Sequence, residues 1–470
     1  MKSKTSLRAS AALGALAVLA LGLPQEAMAG PTTQALLKRL HEKGILSDED
    51  YTQMLAEEKA EAAAPAPAAA ASVAAPSGSA LYVKPTSSGI GLDLGGATIK
   101  FTGSVNGYYV HDNPATPSAN TAVTGGIASV GKGSSSSVRN GLLPGFLTVS
   151  VSTKQAGWDV GAFFGMYPGI NSTAWGALGA NNGGQPTALA TAGIDFRQTY
   201  LTFGKPDVGT FKIGRDIGLF GSDAILNDIT LLSSGPTGGN VAPGNTTLGR
   251  IGSGYIYTDF QPQMTYTSPS FGGAQVAVGV FQPLSSLTGP AQANSAPGFQ
   301  AKLSHDGKFG GVSTHLWLSG ISQKHDSLTA KSYTGEGVDM GARVTTGPLT
   351  LTGYYYTAKG LGTTVFGLFD TDAAGNARKS DGFYLQALAS FGKFSVGGSY
   401  GESNLKYANA ADALANPALV AKNSSYVGQA RYRLTSWVTL IGEYIHAKAQ
   451  AHNGNAAQSD ALAVGGILFF

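Results

Sequence analysis

Residues 97–109 read ATIKFTGSVNGYY, and the phase of this stretch decides the fold. Ile99, Phe101, Val105 and Tyr109 alternate with Lys100, Thr102, Ser104 and Asn106. A period of two puts the apolar set on one face of a strand and the polar set on the other. The pattern recurs to the end of the chain. It predicts strands near 97–110, 146–154, 157–167, 194–204, 209–216, 255–268, 274–282, 298–306, 311–321, 335–346, 348–359, 381–391, 394–402, 423–433, 437–447 and 459–470, sixteen in all.

The connections alternate as strictly as the residues. Short turns (QAG, KPDV, PSFGG, DGKFG, TTGP, GK, LTS) take turns with long links over 111–145, 168–193, 217–254, 283–297, 322–334, 360–380, 403–422 and 448–458. That is an up-and-down meander with one plain rim and one elaborated rim, the asymmetry of a transmembrane barrel. Trp158, Phe203, Phe211, Phe271, Phe309, Phe391, Phe394 and Trp437 all lie in or beside the short turns. Rings gathered at one rim suit a membrane interface, where each is half buried and half wet.

A strand of about 9–11 tilted residues spans a bilayer. In lipid every backbone group must be paired, so the sheet must close. The fold class expected is therefore all-β: a 16-stranded antiparallel transmembrane β-barrel with its apolar face outward. The opposite face carries Lys100, Thr102, Ser104, Asn106, Ser150, Ser152, Gln300, Lys302, Asp339, Arg343, Gln429, Arg431, Arg433 and Glu443, too polar for a dry core. Sixteen strands enclose more space than side chains fill, which leaves an aqueous channel. The final strand, counted back by twos from Phe470 through Leu468, Gly466, Val464 and Leu462, has the face of a lipid-facing closing strand.

Upstream the chain reads differently. Lys2, Lys4 and Arg8, an apolar run from Ala11 to Leu23, and Ala27-Met28-Ala29 form a secretory signal peptide over 1–29. Residues 30–61 read as a helical, coiled-coil-like periplasmic segment. Leu36, Leu37 and Leu40 share a face, and Ser47 with Asp50 resembles a capping box ahead of Tyr51, Met54 and Leu55. It is a tether to peptidoglycan or another periplasmic contact, or else an amphipathic tail. An Ala/Pro-rich linker covers 62–89, and the barrel domain 90–470.

The chemistry points to transport. The chain has no cysteine, so thiol chemistry is excluded. Its seven histidines, His41, His111, His305, His315, His325, His446 and His452, are scattered, with no His-x-x-x-His pair. No enzyme, cofactor or metal is expected. Asp216, Asp223 and Asp228 lack the alternation of a calcium loop, and their expected use is electrostatic. The first 80 residues hold seven Lys and Arg and eight Asp and Glu, so 81–470 carries 24 of the 31 basic and 20 of the 28 acidic residues. The inward phase leans the same way, with Lys100, Lys212, Lys302, Arg343, Arg431 and Arg433 against Asp159, Asp339 and Glu443. A weak anion preference follows.

Three stretches also resemble a known family. FRQTYLTFGKPDVGTFKIGRDIGLFG (196–221) is similar to the fourth strand, turn and fifth strand of the Gram-negative general-diffusion porins, leading into their third loop. RYRLTSWVTLIGEY (431–444) resembles their penultimate hairpin, and ALAVGGILFF (461–470) their last strand. The resemblance covers about 90–470. Some porins of this wider group carry an N-terminal helical segment similar to 31–60. The resemblance implies a homotrimer in the outer membrane whose third loop folds into each barrel. It puts Asp216, Asp223 and Asp228 on that constriction loop, Arg197 on the inner wall, Arg215 at the loop's root and Arg250 where the chain rejoins the wall. The phase of 194–204 leaves Arg197 open. Phe470 and Leu468 would be read by the barrel-assembly machinery. Outer-membrane lipid and lipopolysaccharide are the expected surroundings, and nucleic acid is not a partner. The function expected is passive diffusion of small hydrophilic solutes. The alternatives are a substrate-selective anion porin and a structural or adhesive barrel.

Overall fold

A computed structural model describes residues 41, 52, 82–86, 89–94, 96–170, 194–238 and 246–470. The signal peptide, nearly all of the helical segment and most of the linker expected above lie outside the described residues. In chain order the strands are β1 (Tyr82–Thr86), β2 (Gly89–Asp93), β3 (Ala97–Asn113), β4 (Ser135–Arg139), β5 (Phe146–Gln155), β6 (Trp158–Pro168), β7 (Ile194–Lys205), β8 (Gly209–Ile217), β9 (Phe260–Thr267) and β10 (Ala274–Phe281). They continue with β11 (Gly298–Phe309), β12 (Val312–His325), β13 (Tyr333–Thr346), β14 (Leu349–Lys359), β15 (Lys379–Phe391), β16 (Phe394–Leu405), β17 (Val420–Arg433), β18 (Val438–Ala451) and β19 (Ala456–Phe469). β3 and β5–β19 are the sixteen barrel strands. Each pairs antiparallel with its neighbours, and β19 closes on β3 from Asp460↔Asn113 to Phe469↔Ser104.

The alternation sorts as the sequence implies. Val105 is 62% exposed and Tyr109 51%, while Ser104 and Asn106 on either side of Val105 are 1% and 3%. The outward residues meet lipid, and closure pairs the ladder groups that lipid would leave unsatisfied. Along the short-turn rim the rings touch in series: Trp158 with Phe203, Phe203 with Phe211, and Phe211 with Tyr266, at centroid distances of 6.1, 5.2 and 5.0 Å. Phe470 seals the seam. Its backbone exchanges two 3.0 Å hydrogen bonds with Gly103, and its ring occupies the space a Cβ on Gly103 would need.

Three short strands were not legible in the sequence. β1 and β2 form a hairpin at the short-turn rim. β2 pairs with β3 from Ile90↔Phe101 to Asp93↔Thr98, just below the point where β19 ends. β1 falls inside the stretch read as linker. β4 folds the first long loop back onto β3. The sixth barrel strand is also shorter than expected. It starts at Phe260 rather than near 255, because Tyr255, Ile256 and Tyr257 are buried loop residues whose packing imitates a strand pattern. Asp259, at φ 57°, marks the break.

The third long loop, 218–259, turns into the barrel. It carries a one-turn helix, α1 (Ser222–Leu226), and a 3-10 turn over Ile229–Leu232. Its Phe220, Ala224, Ile225, Leu248, Ile251, Tyr255 and Ile256 pack with Trp317, Ile321, Tyr354, Tyr356 and Tyr384 of the wall into one apolar cluster. Fully burying one such side chain is worth roughly 1.5–3 kcal/mol, which keeps the loop inside. Leu361 and Phe366 of the loop after β14 join this cluster.

Candidate functional site

The lumen is the site, and the wall holds the loop by a row of polar side chains. Gln300 on β11 accepts from the amides of Leu219 (2.8 Å) and Phe220 (3.0 Å). Asp339 on β13 accepts from the Gly221 amide at 2.7 Å and from the hydroxyls of Ser319 and Tyr354. Lys302 reaches Asp223 at 2.8 Å, and His315 Nε2 lies 3.2 Å from the other Asp223 oxygen. Arg343 donates to Asn227, and Arg431 to the Ile229 carbonyl at 2.7 Å. Gln386 donates to the Asn227 carbonyl and accepts from the Ile229 amide. Glu443 accepts from Ser233, Gln429 and the Gly235 amide at 2.5–2.7 Å.

The three loop aspartates differ from one another. Asp216 is the penultimate residue of β8. It takes hydrogen bonds from Gln198 (2.6 Å) and Lys212, and it is 3% exposed. Asp223 is 1% exposed, clamped between Lys302 and His315. Asp228 caps the 3-10 turn through the Thr230 amide and hydroxyl, and accepts from Tyr255 at 2.9 Å and from the Arg250 amide. The sequence suggested acids bordering water. In the structure all three are buried: Asp223 and Asp228 fasten the loop, whereas Asp216 stands on β8 at the loop's root and bonds within the wall, and each finds donors that a water-facing carboxylate would not need.

The basic residues divide as well. Arg250, fully buried, donates to Ser399 and Ser425 and ties the loop's return to β16 and β17. Burial pushes its pKa down, opposed by the charges of Asp228 and Glu443. Arg197 does face the lumen. β7 sets Gly165↔Gln198 and Tyr167↔Asp195 opposite each other, so two β7 residues oppose one on β6. This bulge re-aims Arg197 against the rings of Tyr167 (5.1 Å) and Phe260 (5.4 Å). Arg215 departs from the expectation. It stands opposite Thr199, in the outward phase of Phe211 and Ile213, so strand parity takes it off the lumen wall. Asp159 belongs to the short-turn rim, exposed and paired with Lys154 at 3.5 Å. Arg433 shares Arg431's inward phase one step nearer that rim and is half-buried. Lys100 and Lys212 are inward and half-exposed. Leu468 faces outward beside Val438 and Val105. Gln386, Ser399 and Ser425 were not singled out from the sequence. Their inward strand phase was the signal that could have found them.

Exposure divides the lumen in two. On the β12–β18 side, three to five residues above the short turns, His315, Arg343, Thr352, Ser399 and Glu443 are 8% exposed or less beneath the loop. At the same heights on β3 and β5–β8, Lys100, Ser150, Phe163, Tyr200, Thr202 and Lys212 stay half-exposed, and Ser152 is exposed. Open space therefore runs along β3 and β5–β8.

Comparison with known proteins agrees with this geometry. A family model described as Gram-negative porin matches residues 60–452. Among solved structures, the outer membrane channel DcaP of Acinetobacter baumannii superposes with a TM-score of 0.61 at 16% identity, over 80% of this chain and 99% of that one. The anion-selective porin from Comamonas acidovorans gives 0.52 at 15% identity, over 80% and 100%. No curated protein matches the chain in sequence. With a family match over most of its length and a closed sixteen-strand barrel that holds its third loop inside, the chain belongs to the Gram-negative porins and is an outer-membrane channel for passive diffusion.

Proposed function

We propose that the channel prefers small anions weakly and that the third loop forms its constriction. One observation carries this reading: the carboxylates under the loop and at its root are buried, while the lysine ends of the wall, two of them paired to those carboxylates, still border water. Asp216, Asp223, Asp228, Asp339 and Glu443 are each 3% exposed or less, whereas the side chains of Lys212 and Lys302 keep 29% and 18% exposure and Lys100 is half-exposed. A buried carboxylate saturated with donors adds little field to the water path, while a lysine bordering water biases it. The test is the reversal potential across a KCl gradient on purified protein in planar bilayers. Anion preference that falls in Lys100→Gln supports the reading; cation preference in the parent protein overturns it.

The same reading includes a homotrimer, a cleaved leader over 1–29, and a periplasmic tether over 30–61 joined by the linker 62–89. It also includes recognition of the Phe470 end by the assembly machinery, and no catalytic role. Cross-linking in native membranes and N-terminal sequencing of the mature protein check the trimer and the leader.

A further inference from the structure

On the open wall, Phe163 of β6 and Tyr200 of β7 stand opposite each other and stack, with centroids 5.0 Å apart and planes within 5°. Both belong to the inward phase, since Phe164 and Leu201, their neighbours on the other face, are 48% and 45% exposed to the outside. Aromatic rings on the water-facing wall are out of place for a channel that only passes hydrated ions. Glycines flank them, with the Tyr167 ring and the Thr202 hydroxyl lying over Gly165 and Gly161. Phe163 has Gly161 and Gly165 as its same-face neighbours along β6, and Tyr200 faces Gly214 on β8. Beyond Phe163 the register continues to Ser150 and then to Lys100.

That order makes a slot. Strands lie about 4.8 Å apart, so Phe163 and Lys100 are separated by about 9.6 Å with only a serine between them. This is the space one more ring fills when it stacks on the free face of Phe163 at the distance Tyr200 holds on the other. Lys100 forms the slot's far side. It makes no ion pair among the described residues, so its ammonium is available to an anionic group on such a ring. Lys212 lies 4.8 Å from the Tyr200 ring centroid, bonded to Asp216, and closes the opposite end of the stack.

We propose that Lys100, Ser150, Phe163 and Tyr200 form a binding strip for solutes with a flat aromatic body and a carboxylate, which pause there in transit. This deepens the channel reading and rests on it. The stack supplies dispersion and quadrupole attraction for the ring. Lys100 pairs the carboxylate, and the half-wet setting keeps the attraction weak enough for release.

The test uses the purified full-length protein in planar bilayers, with benzoate as the probe and acetate as its ring-free control. Stepwise conductance in KCl alone establishes the channel; its absence would defeat the channel reading itself, before any solute is added. Given steps, benzoate at millimolar concentration should interrupt the current and acetate should not. Ser150→Leu fills the slot while leaving the ring in place, and should weaken the block about tenfold, the size of one lost aromatic contact. Phe163→Ala should do the same, and Lys100→Gln should weaken benzoate block while sparing block by uncharged benzyl alcohol. Resistance to SDS until boiling identifies variants that still form barrels. Equal effects of benzoate and acetate, or full benzoate block in a folded Ser150→Leu barrel, would overturn the proposal.

Discussion

Replacing Asp223 by Asn isolates the loop's charge from its position. The carboxylate lies 2.8 Å from Lys302 and 3.2 Å from His315, and is 1% exposed. Asparagine keeps the shape and one acceptor, and Gln300, Asp339, Gln386, Arg431 and Glu443 still grip the loop at separate points. The lost interaction should cost about 1–3 kcal/mol, less than the loop's remaining contacts supply. What changes is Lys302. Its side chain is 18% exposed, so an ammonium once neutralised locally now acts on the water path. A unit charge about 7 Å from an ion in water is worth roughly 0.6 kcal/mol. Screening at about 0.1 M salt halves that. Anions gain and cations lose by this amount, so the permeability ratio should move about threefold towards anions. Reversal potentials in a KCl gradient read it directly. An unchanged ratio at unchanged conductance, or a move towards cations, would refute the reasoning.

Asp228→Asn should behave differently, because its partners are hydroxyls and backbone amides rather than a side-chain cation. It should weaken the cap on the 3-10 turn by about 1 kcal/mol and raise open-channel noise, with less than half the selectivity shift of Asp223→Asn. In the loop after β16, the helix α2 (Ala410–Ala415) holds Asp412 against Arg378 at 2.6 and 2.7 Å. Burial works against the Asp412 carboxylate, but hydrogen bonds from Arg378, the Ala408 amide and Asn416 outweigh it and hold its pKa at about 2. A depressed carboxylate stabilises above its unfolded pKa of about 4 and loses that contribution as pH falls through the folded value. Hydrogen exchange of the Ala413 and Asn416 amides should therefore stay protected at pH 4 and lose protection near pH 2. Arg378→Leu strands a buried carboxylate at a local cost of about 3–5 kcal/mol, and should open this loop to protease at neutral pH while the barrel stays closed.

The barrel was legible because its rules are local. Alternation in 97–109 and the rhythm of short and long links locate each of the sixteen strands, since lipid outside and water inside impose one period on all of them. The loop's attachment was not legible in the same way. GRDIGLFGSDAILND shows acids among apolar residues, and both kinds turned out to be buried: the apolar ones pack on the wall, Asp223 meets Lys302 and His315 on strands 79 and 92 residues away, and Asp216 and Asp228 find donors nearby in sequence. The phase of Arg197 depended on a bulge that pairing creates and composition does not announce. Tyr255–Tyr257 passed for strand because aromatic and β-branched side chains favour strands, whereas all three are buried inside the lumen. The β1–β2 hairpin has too few residues for periodicity to register.

The central claim is that the loop covers the β12–β18 wall and leaves the water path along β3 and β5–β8. The chain contains no cysteine, so single cysteines can be placed on either side without a background. Ser152→Cys and Thr202→Cys stand on the open side, and Ser399→Cys at similar height beneath the loop. The decisive measurement is the change in single-channel current when a charged thiol reagent is added to each. Rapid modification with a stepwise fall in conductance at 152 and 202, and none at 399, is the predicted result. Rapid modification at 399 with protection at 152 and 202 would contradict the account.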